Sequence, residues 1–309
     1  MTKRWHDAQS MCATRGIQRS MQGGRGAWWL VALGACAALI ACSGEDGSEK
    51  ELTSAPVTRE GTPGRGADPG APDTPSAPMA PLAPTAGKTL VFDAPFNDAS
   101  QWTVGRSSSY PGPTNPNDNK LDYISPSSAP DPDGTFRATR RSDGKWDADL
   151  VTTEYSSKHF ELRPNDELQA TVTLQGDQGA WPAIWTWGRD LPSGVQPGHG
   201  EVDLFEYHAD NPNLLELSNH VRESSLYYRN ASTIKPGTPF DLKVVFGLSS
   251  VDWYVNGTRI FADGKGVPSN WVAYPIVNIS VSAGKYNHPT PAPSQTSMSF
   301  KVTNFRVYR

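Results

Sequence analysis

Past residue 42 the chain contains no cysteine; its three, Cys12, Cys36 and Cys42, all stand at or before that point. The rest can form no disulfide, so a folded domain there must rest on its apolar core. Helical periodicity is almost missing after residue 89, which argues against helical and mixed folds. Charge of one sign is lacking too. The formal net charge is −4 and the lysines and arginines are scattered, so there is no basic footprint for nucleic acid. The apolar run from Trp28 to Ala41 falls short of the ~18 residues that a membrane span needs.

That run follows Arg4, Arg15, Arg19 and Arg25 and ends in Leu39-Ile40-Ala41-Cys42, the layout of an export leader. The last four residues resemble a bacterial lipobox. The resemblance implies that residues 1–42 are a lipoprotein-type signal peptide and that Cys42 carries the lipid. Ser43, rather than aspartate, follows, which by the same resemblance implies the outer membrane of a two-membrane cell. An exported protein is expected, either anchored in the cell envelope by lipid or secreted. Over residues 43–88, Pro, Gly, Ala, Ser and Thr dominate and large apolar residues nearly vanish. Such a segment cannot bury enough surface to fold, so it is read as a disordered tether, semi-extended at up to ~3.1 Å per residue. Residues 89–309 are read as one domain, taken as a monomer.

Within that domain, short alternating runs recur between turn signals. Asn256-Gly257, between Val255 and Ile260, is a type I′ hairpin signal, and Asp133-Gly134, Asp143-Gly144 and Asp263-Gly264 mark further turns. The pattern predicts an all-β fold, a two-sheet antiparallel β-jelly-roll sandwich with a concave substrate cleft.

One stretch, His199 to His208, alternates carboxylates with apolar residues. Strand side chains change faces at every residue, so Glu201 and Asp203 project together while Val202 and Leu204 project oppositely. Glu206 would fall on the wrong face unless a β-bulge near Leu204-Phe205 adds one residue. With that bulge all three acids share one surface. Like charges so placed raise each other's pKa, which a fold built only for stability would avoid. Glycoside hydrolysis needs the arrangement: one ionised carboxylate as nucleophile and one protonated carboxyl as acid, roughly 5–5.5 Å apart in retaining enzymes.

Parity sorts the neighbouring runs as well. Trp181, Trp185 and Trp187 share one face, opposite Ile184, and their flat rings suit the apolar faces of sugars, although tryptophans would equally fill a core. Over Leu214 to Arg222, the residues Leu215, Leu217 and Val221 oppose Glu216, Ser218, His220 and Arg222, so His220 faces solvent or substrate. His208 continues the Glu206 face. Val277, Ile279 and Val281 point inward and leave Asn278, Ser280 and Ser282 on the other side. The loop from Tyr110 to Tyr123 is expected to rim the cleft, with Tyr110, Asn115 and Tyr123 as candidate sugar contacts.

Glu201-Val202-Asp203-Leu204-Phe205-Glu206 resembles the E-x-D-x-x-E signature of glycoside hydrolase family 16 in its bulged, laminarinase-like form. Other strings are similar to that family in its own order. They are Gly179 to Trp185 (G-x-W-P-A-x-W), Trp253 to Gly257 (W-Y-V-D-G), Val277 to Val281 (L-N-L-A-V) and Phe305 to Tyr308 (V-R-V-Y). The resemblance implies a retaining endo-acting hydrolase of β-glucan, β-1,3 or mixed-linkage. It assigns Glu201 as nucleophile, Glu206 as acid/base and Asp203 as the group that tunes them. Trp181, Trp185, Trp187, His220, Asn278 and Tyr110 become the expected substrate contacts, and polysaccharide the expected partner. No metal ligand and no cofactor are expected, because Thr303 precedes Asn304 where the family commonly has a calcium-associated aspartate. Ala283-Gly284-Lys285-Tyr286 likewise replaces the family's G-G-x-W, which leaves the glycan open. A non-catalytic carbohydrate-binding sandwich, and a hydrolase or transglycosylase of another polysaccharide such as a galactan, stay open as alternatives.

Overall fold

A computed structural model of the chain describes residues 82–110, 112–115, 117–188 and 197–309. The leader over 1–42, its Cys42 and the tether up to residue 81 lie outside the described residues. Among the described residues sixteen strands follow in chain order: β1 Leu90–Asp93, β2 Thr103–Val104, β3 Asp122–Tyr123, β4 Thr135–Arg140, β5 Trp146–Ala148, β6 Leu150–Thr152, β7 Glu167–Thr173 and β8 Ala180–Trp187 come first. Then come β9 Val202–Glu206, β10 Leu214–Asn219, β11 Ser224–Arg229, β12 Pro239–Phe246, β13 Val251–Val255, β14 Thr258–Ala262, β15 Tyr274–Val281 and β16 Ser297–Tyr308.

They form two sheets. One runs β14-β13-β12-β7-β16-β4-β5-β3, with β1 also on β16; the other runs β11-β10-β9-β8-β15-β6-β2. Every pairing is antiparallel except β3 with β5. This is the all-β sandwich that the alternation predicts. Its hairpin chemistry also holds: Asn256 and Gly257, at φ 48° and 77°, turn β13 into β14, as a type I′ turn requires. Gly134, Gly144 and Gly264 all take positive φ at the other Asp-Gly turns.

Alternation decides which side chains meet between the sheets. From the seven-stranded sheet, Ile184, Val202, Leu204, Leu215, Leu217, Val277, Ile279 and Val281 enter the core; Val172, Leu242, Val244, Trp253, Phe300 and Val307 meet them from the other. Each such burial stabilises the fold by about 1.5–3 kcal/mol, offset by the entropy of ordering the chain. The opposite face of the seven-stranded sheet carries a separate, smaller cluster of Tyr110, Ile124, Leu150, Ala183, Trp185 and Ile276, with Trp187 against it. That face carries the acids.

Candidate active site

The register of β9 shows how the acids come together. Against β8, Ala183 pairs with Glu206 and Ile184 with Phe205, but Trp185 pairs with Asp203, so Leu204 is an extra residue. The β10 side shows the same slip between Glu216↔Glu206 and Ser218↔Asp203. Leu204 and Phe205 are consecutive yet both fully buried in the core. Two adjacent apolar residues thus point the same way, and Glu206 emerges on the face of Asp203.

Buried polar groups fix the backbone around this bulge. Trp253 of the opposite sheet reaches through the core and donates its indole N–H to the Asp203 carbonyl at 3.2 Å. Trp271 donates to the Gly200 carbonyl at 3.0 Å, and the Thr186 hydroxyl donates to that carbonyl while accepting from the Val202 amide, both at 2.9 Å. Gly198, at φ 53°, lies so close to the His220 backbone that a Cβ there would fall 2.5 Å from its carbonyl oxygen. None of these four residues was singled out by sequence parity. A buried indole or hydroxyl tied to a backbone carbonyl leaves no periodic signature.

Glu201, Asp203 and His220 present donor atoms all within 4.8 Å of one another. His220 Nε2 lies 2.9 Å from Asp203 Oδ2, and its side chain is 30% exposed. Burial opposes charging of the imidazole, but Asp203 beside it, with Glu201 and Glu206, outweighs that and pushes it up to about 10. The expected strand position of His220 needs correction. β10 ends at Asn219, and His220 sits in the turn after it, its amide donating to the Glu201 carbonyl at 3.1 Å. It faces the acids rather than open solvent.

Both glutamate carboxyls are raised above the ordinary range, first by burial and next by the charge of Asp203. Trp181 Nε1 donates to Glu206 Oε1 at 2.9 Å, which favours the ionised form of that group. Lys120, also not foreseen, stands 4.3 Å from the centre of the Trp181 ring. Burial opposes its charge, yet Tyr110, Asp122, Glu206 and Glu201 hold its pKa above the usual lysine value. The carboxyl pair thus sits beside a fixed N–H donor and a cation.

The proposed sugar contacts are more committed than parity suggested. Trp181 and Trp185 lie on the acid-bearing side but are only 4% and 8% exposed, while Trp187 is half-buried and its ring stacks on His199 with centroids 4.8 Å apart. Asn278 is buried: its Oδ1 accepts from Trp185 Nε1 and its Nδ2 donates to Ser280 Oγ, both at 2.8 Å. Tyr110 is buried as well, donating to Asp122 Oδ2 at 3.0 Å, and burial pushes its phenol up to about 12. Asn115 Oδ1 accepts from the Asn117 amide. Tyr123 belongs to β3 at the edge of the other sheet, with Arg141 over its ring. A pocket of about 410 Å³, lined by Tyr110, Ile124, Arg106 and Tyr155 among others, contains none of the acids.

Next to Glu206 a second group gathers. His208 is 2% exposed, and its ring lies 4.5 Å from that of Trp181 and stacks on His288 at 3.4 Å and 5°. Burial and the neighbouring His288 push His208 down to about 2. Glu216, opposite Glu206 in register, is pushed up to about 8 by burial and by the charges of Glu206 and Asp203.

No protein-family model matches the chain, and no curated protein matches it in sequence. Solved structures match its fold. The endo-β-1,3-glucanase of Pyrococcus furiosus superposes with a TM-score of 0.57 at 18% identity, over 72% of this chain and 94% of that one. The laminarinase of Flavobacterium sp. UMI-01 gives 0.60 at 18% identity, over 72% of this chain and 100% of its own. A non-specific endo-β-1,3(4)-glucanase of glycoside hydrolase family 16 gives 0.58 at 18%, over 74% and 98%. The fold is therefore the jelly roll of laminarinases. An endo-acting O-glycanase structure connected with mucin breakdown by human gut bacteria matches as well, at 0.55 and 18%, so the fold alone does not fix the glycan.

Proposed function

We propose that the protein is an exported, retaining endo-glycosidase that cleaves β-1,3- or mixed-linkage β-glucan as a monomer, with no cofactor in the chemistry. One observation carries this reading: the extra residue Leu204 brings Glu206 onto the face that holds Asp203 and Glu201. A strand serving only the sandwich would gain nothing from three mutually repelling acids on one side, each raising the energy of the others' ionised forms.

In the proposed reaction the Glu201 carboxylate attacks the anomeric carbon while the bond to the leaving oxygen breaks and Glu206 delivers its proton to that oxygen. The carboxylate left on Glu206 is the form that Trp181 Nε1 and Lys120 favour, so those contacts strengthen as the proton departs. Glu206 then takes a proton from water, whose oxygen attacks the anomeric carbon from the opposite side and frees Glu201. Asp203 tunes the pair: bonded to His220, it adds negative charge beside both glutamates and raises both. The Pyrococcus furiosus protein is an endo-β-1,3-glucanase and the Flavobacterium protein a laminarinase, and the half-buried ring of Trp187 on the acid-bearing face suits the apolar face of a glucose unit.

The test is digestion of laminarin, mixed-linkage β-glucan and a galactan by the full chain, with products sized by chromatography and anomeric configuration followed by NMR. Internal cleavage of a β-glucan with retained configuration is expected. Release of inverted product, or no cleavage of any of the three, would overturn the reading. Lipid attachment at Cys42 is part of the same proposal. Labelled fatty acid should enter the wild-type protein in a bacterial host and not Cys42→Ser; equal labelling would refute it.

A further inference from the structure

Beside the proposed hydrolytic site, His208, Glu216 and His288 each offer one ligand atom, all within 4.8 Å of one another. We propose that these three residues form a binding site for a divalent first-row transition cation such as Zn²⁺. Two independent features point to a ligand. His208 is almost wholly buried, yet its Nε2 has no hydrogen-bond partner, a costly condition in a protein interior. His288 Nδ1 lies 3.1 Å from both oxygens of Asp210, a carboxylate that can only accept, so the ring proton belongs on Nδ1. That leaves the Nε2 lone pair of His288 facing Glu216 Oε1 at 4.0 Å. Two acceptor atoms face each other across that gap, and a proton or a metal cation between them turns the contact from repulsive to attractive.

A carboxylate that orients a histidine through Nδ1 is the usual support of a metal-bound imidazole. Two imidazoles and one carboxylate favour zinc, cobalt, nickel or copper over magnesium or calcium, and three protein ligands leave a fourth position open. Metal–nitrogen bonds of about 2.0–2.1 Å in a tetrahedral site place donors about 3.4 Å apart. The two imidazoles stack at 5°, so binding requires one ring to turn out of the stack until both Nε2 lone pairs aim at the same point.

The ligands come from separate pieces of chain. His208 follows β9, Glu216 lies in β10, and His288 lies in the connection between β15 and β16. That connection is already held: Gln178 Nε2 donates to the Thr290 carbonyl at 2.8 Å, and Gly179, at φ 83°, lets Pro291 approach where a Cβ would fall 2.5 Å from its nitrogen. A bound cation would staple this connection to the sheet next to Trp181 and Glu206. Whatever glycan the enzyme cleaves, this inference rests only on the three donors and Asp210.

Binding, not hydrolysis, tests it. The full chain, with Cys12, Cys36 and Cys42 alkylated so that thiols cannot compete, is titrated with Zn²⁺ by calorimetry and with Co²⁺ by its visible d–d absorption, with Mg²⁺ as the oxygen-preferring control. One equivalent of Zn²⁺ should bind, and the thermal midpoint should rise by roughly 5–10 °C at a hundredfold excess over Kd. Glu216→Gln and His288→Gln, at positions whose side chains are each 11% exposed, should abolish the Co²⁺ spectrum. Asp210→Asn should weaken binding about 10–100-fold while keeping that spectrum. Absence of saturable Zn²⁺ binding, or binding that survives unchanged in His288→Gln, would overturn the assignment.

Discussion

Replacement of His220 by glutamine should remove a pH dependence of stability that the structure gives a definite sign and size. Asp203, Glu201 and Glu206 face this imidazole and together push it from 6.5 up to about 10 in the folded state. A folded-state pKa above the unfolded one means that the native protein holds the proton more tightly. The stability it contributes is complete below pH 6.5 and drains away as pH rises through 10. Each pH unit well inside that window is worth about 1.36 kcal/mol and the slope halves at the folded pKa, so pH 8 to 10 spans about 2.3 kcal/mol. Partial exposure of the side chain, 30%, reduces this to about 2 kcal/mol through solvent screening. For a domain of this size the midpoint should fall by roughly 4–8 °C between pH 8 and 10 beyond any change shared with the variant. Thermal unfolding of wild type and His220→Gln, followed by circular dichroism at constant ionic strength, makes the comparison. Parallel midpoint curves for the two proteins from pH 7 to 10 would show that His220 carries no such charge, and the account of the Asp203–His220 pair would fall with it.

Other substitutions probe separate links. Glu201→Gln and Glu206→Gln should each lower kcat on β-glucan by at least about 10²–10⁴-fold with the midpoint little changed; near wild-type turnover in either would exclude its assigned role. Trp181→Phe keeps the ring but loses the N–H to Glu206. A charge-assisted bond of about 1.5–3 kcal/mol predicts a fall in kcat of about 10–100-fold, with KM less affected. Trp253→Phe leaves the Asp203 carbonyl without its donor and opens space in the core, so denaturant titration should show a loss of about 2–4 kcal/mol. A loss under 1 kcal/mol would mean that the indole does not hold the bulge.

Much of the fold was legible because its causes are local. Period-two alternation, Asn-Gly at a type I′ turn and Asp-Gly at three others need only neighbouring residues, and the structure realises each of them. The bulge at Leu204 was legible for the same reason: Glu206 stands at odd distance from Glu201, and two consecutive apolar residues mark where the strand slips. Residue type and spacing also made the acids and His220 candidates, though the end of β10 at Asn219 left His220 in a turn that parity could not locate.

Tertiary structure alone decided what each candidate touches. Parity put Asn278 and Tyr110 on the cleft side, but partners more than ten residues away in sequence, Trp185 and Asp122, bury and occupy their polar atoms. Lys120, Trp253, Trp271, Thr186 and Gly198 gain their roles from contacts across loops and between sheets, which no window of sequence contains. The pairing of His208 with Glu216 and His288 is of that kind, since eighty residues of folded chain separate the two imidazoles that stack at 3.4 Å. Sequence set which faces the side chains take because that follows from backbone geometry at each residue; closure of the sheets set which groups share a site, because distance through space is fixed only by the whole packed chain.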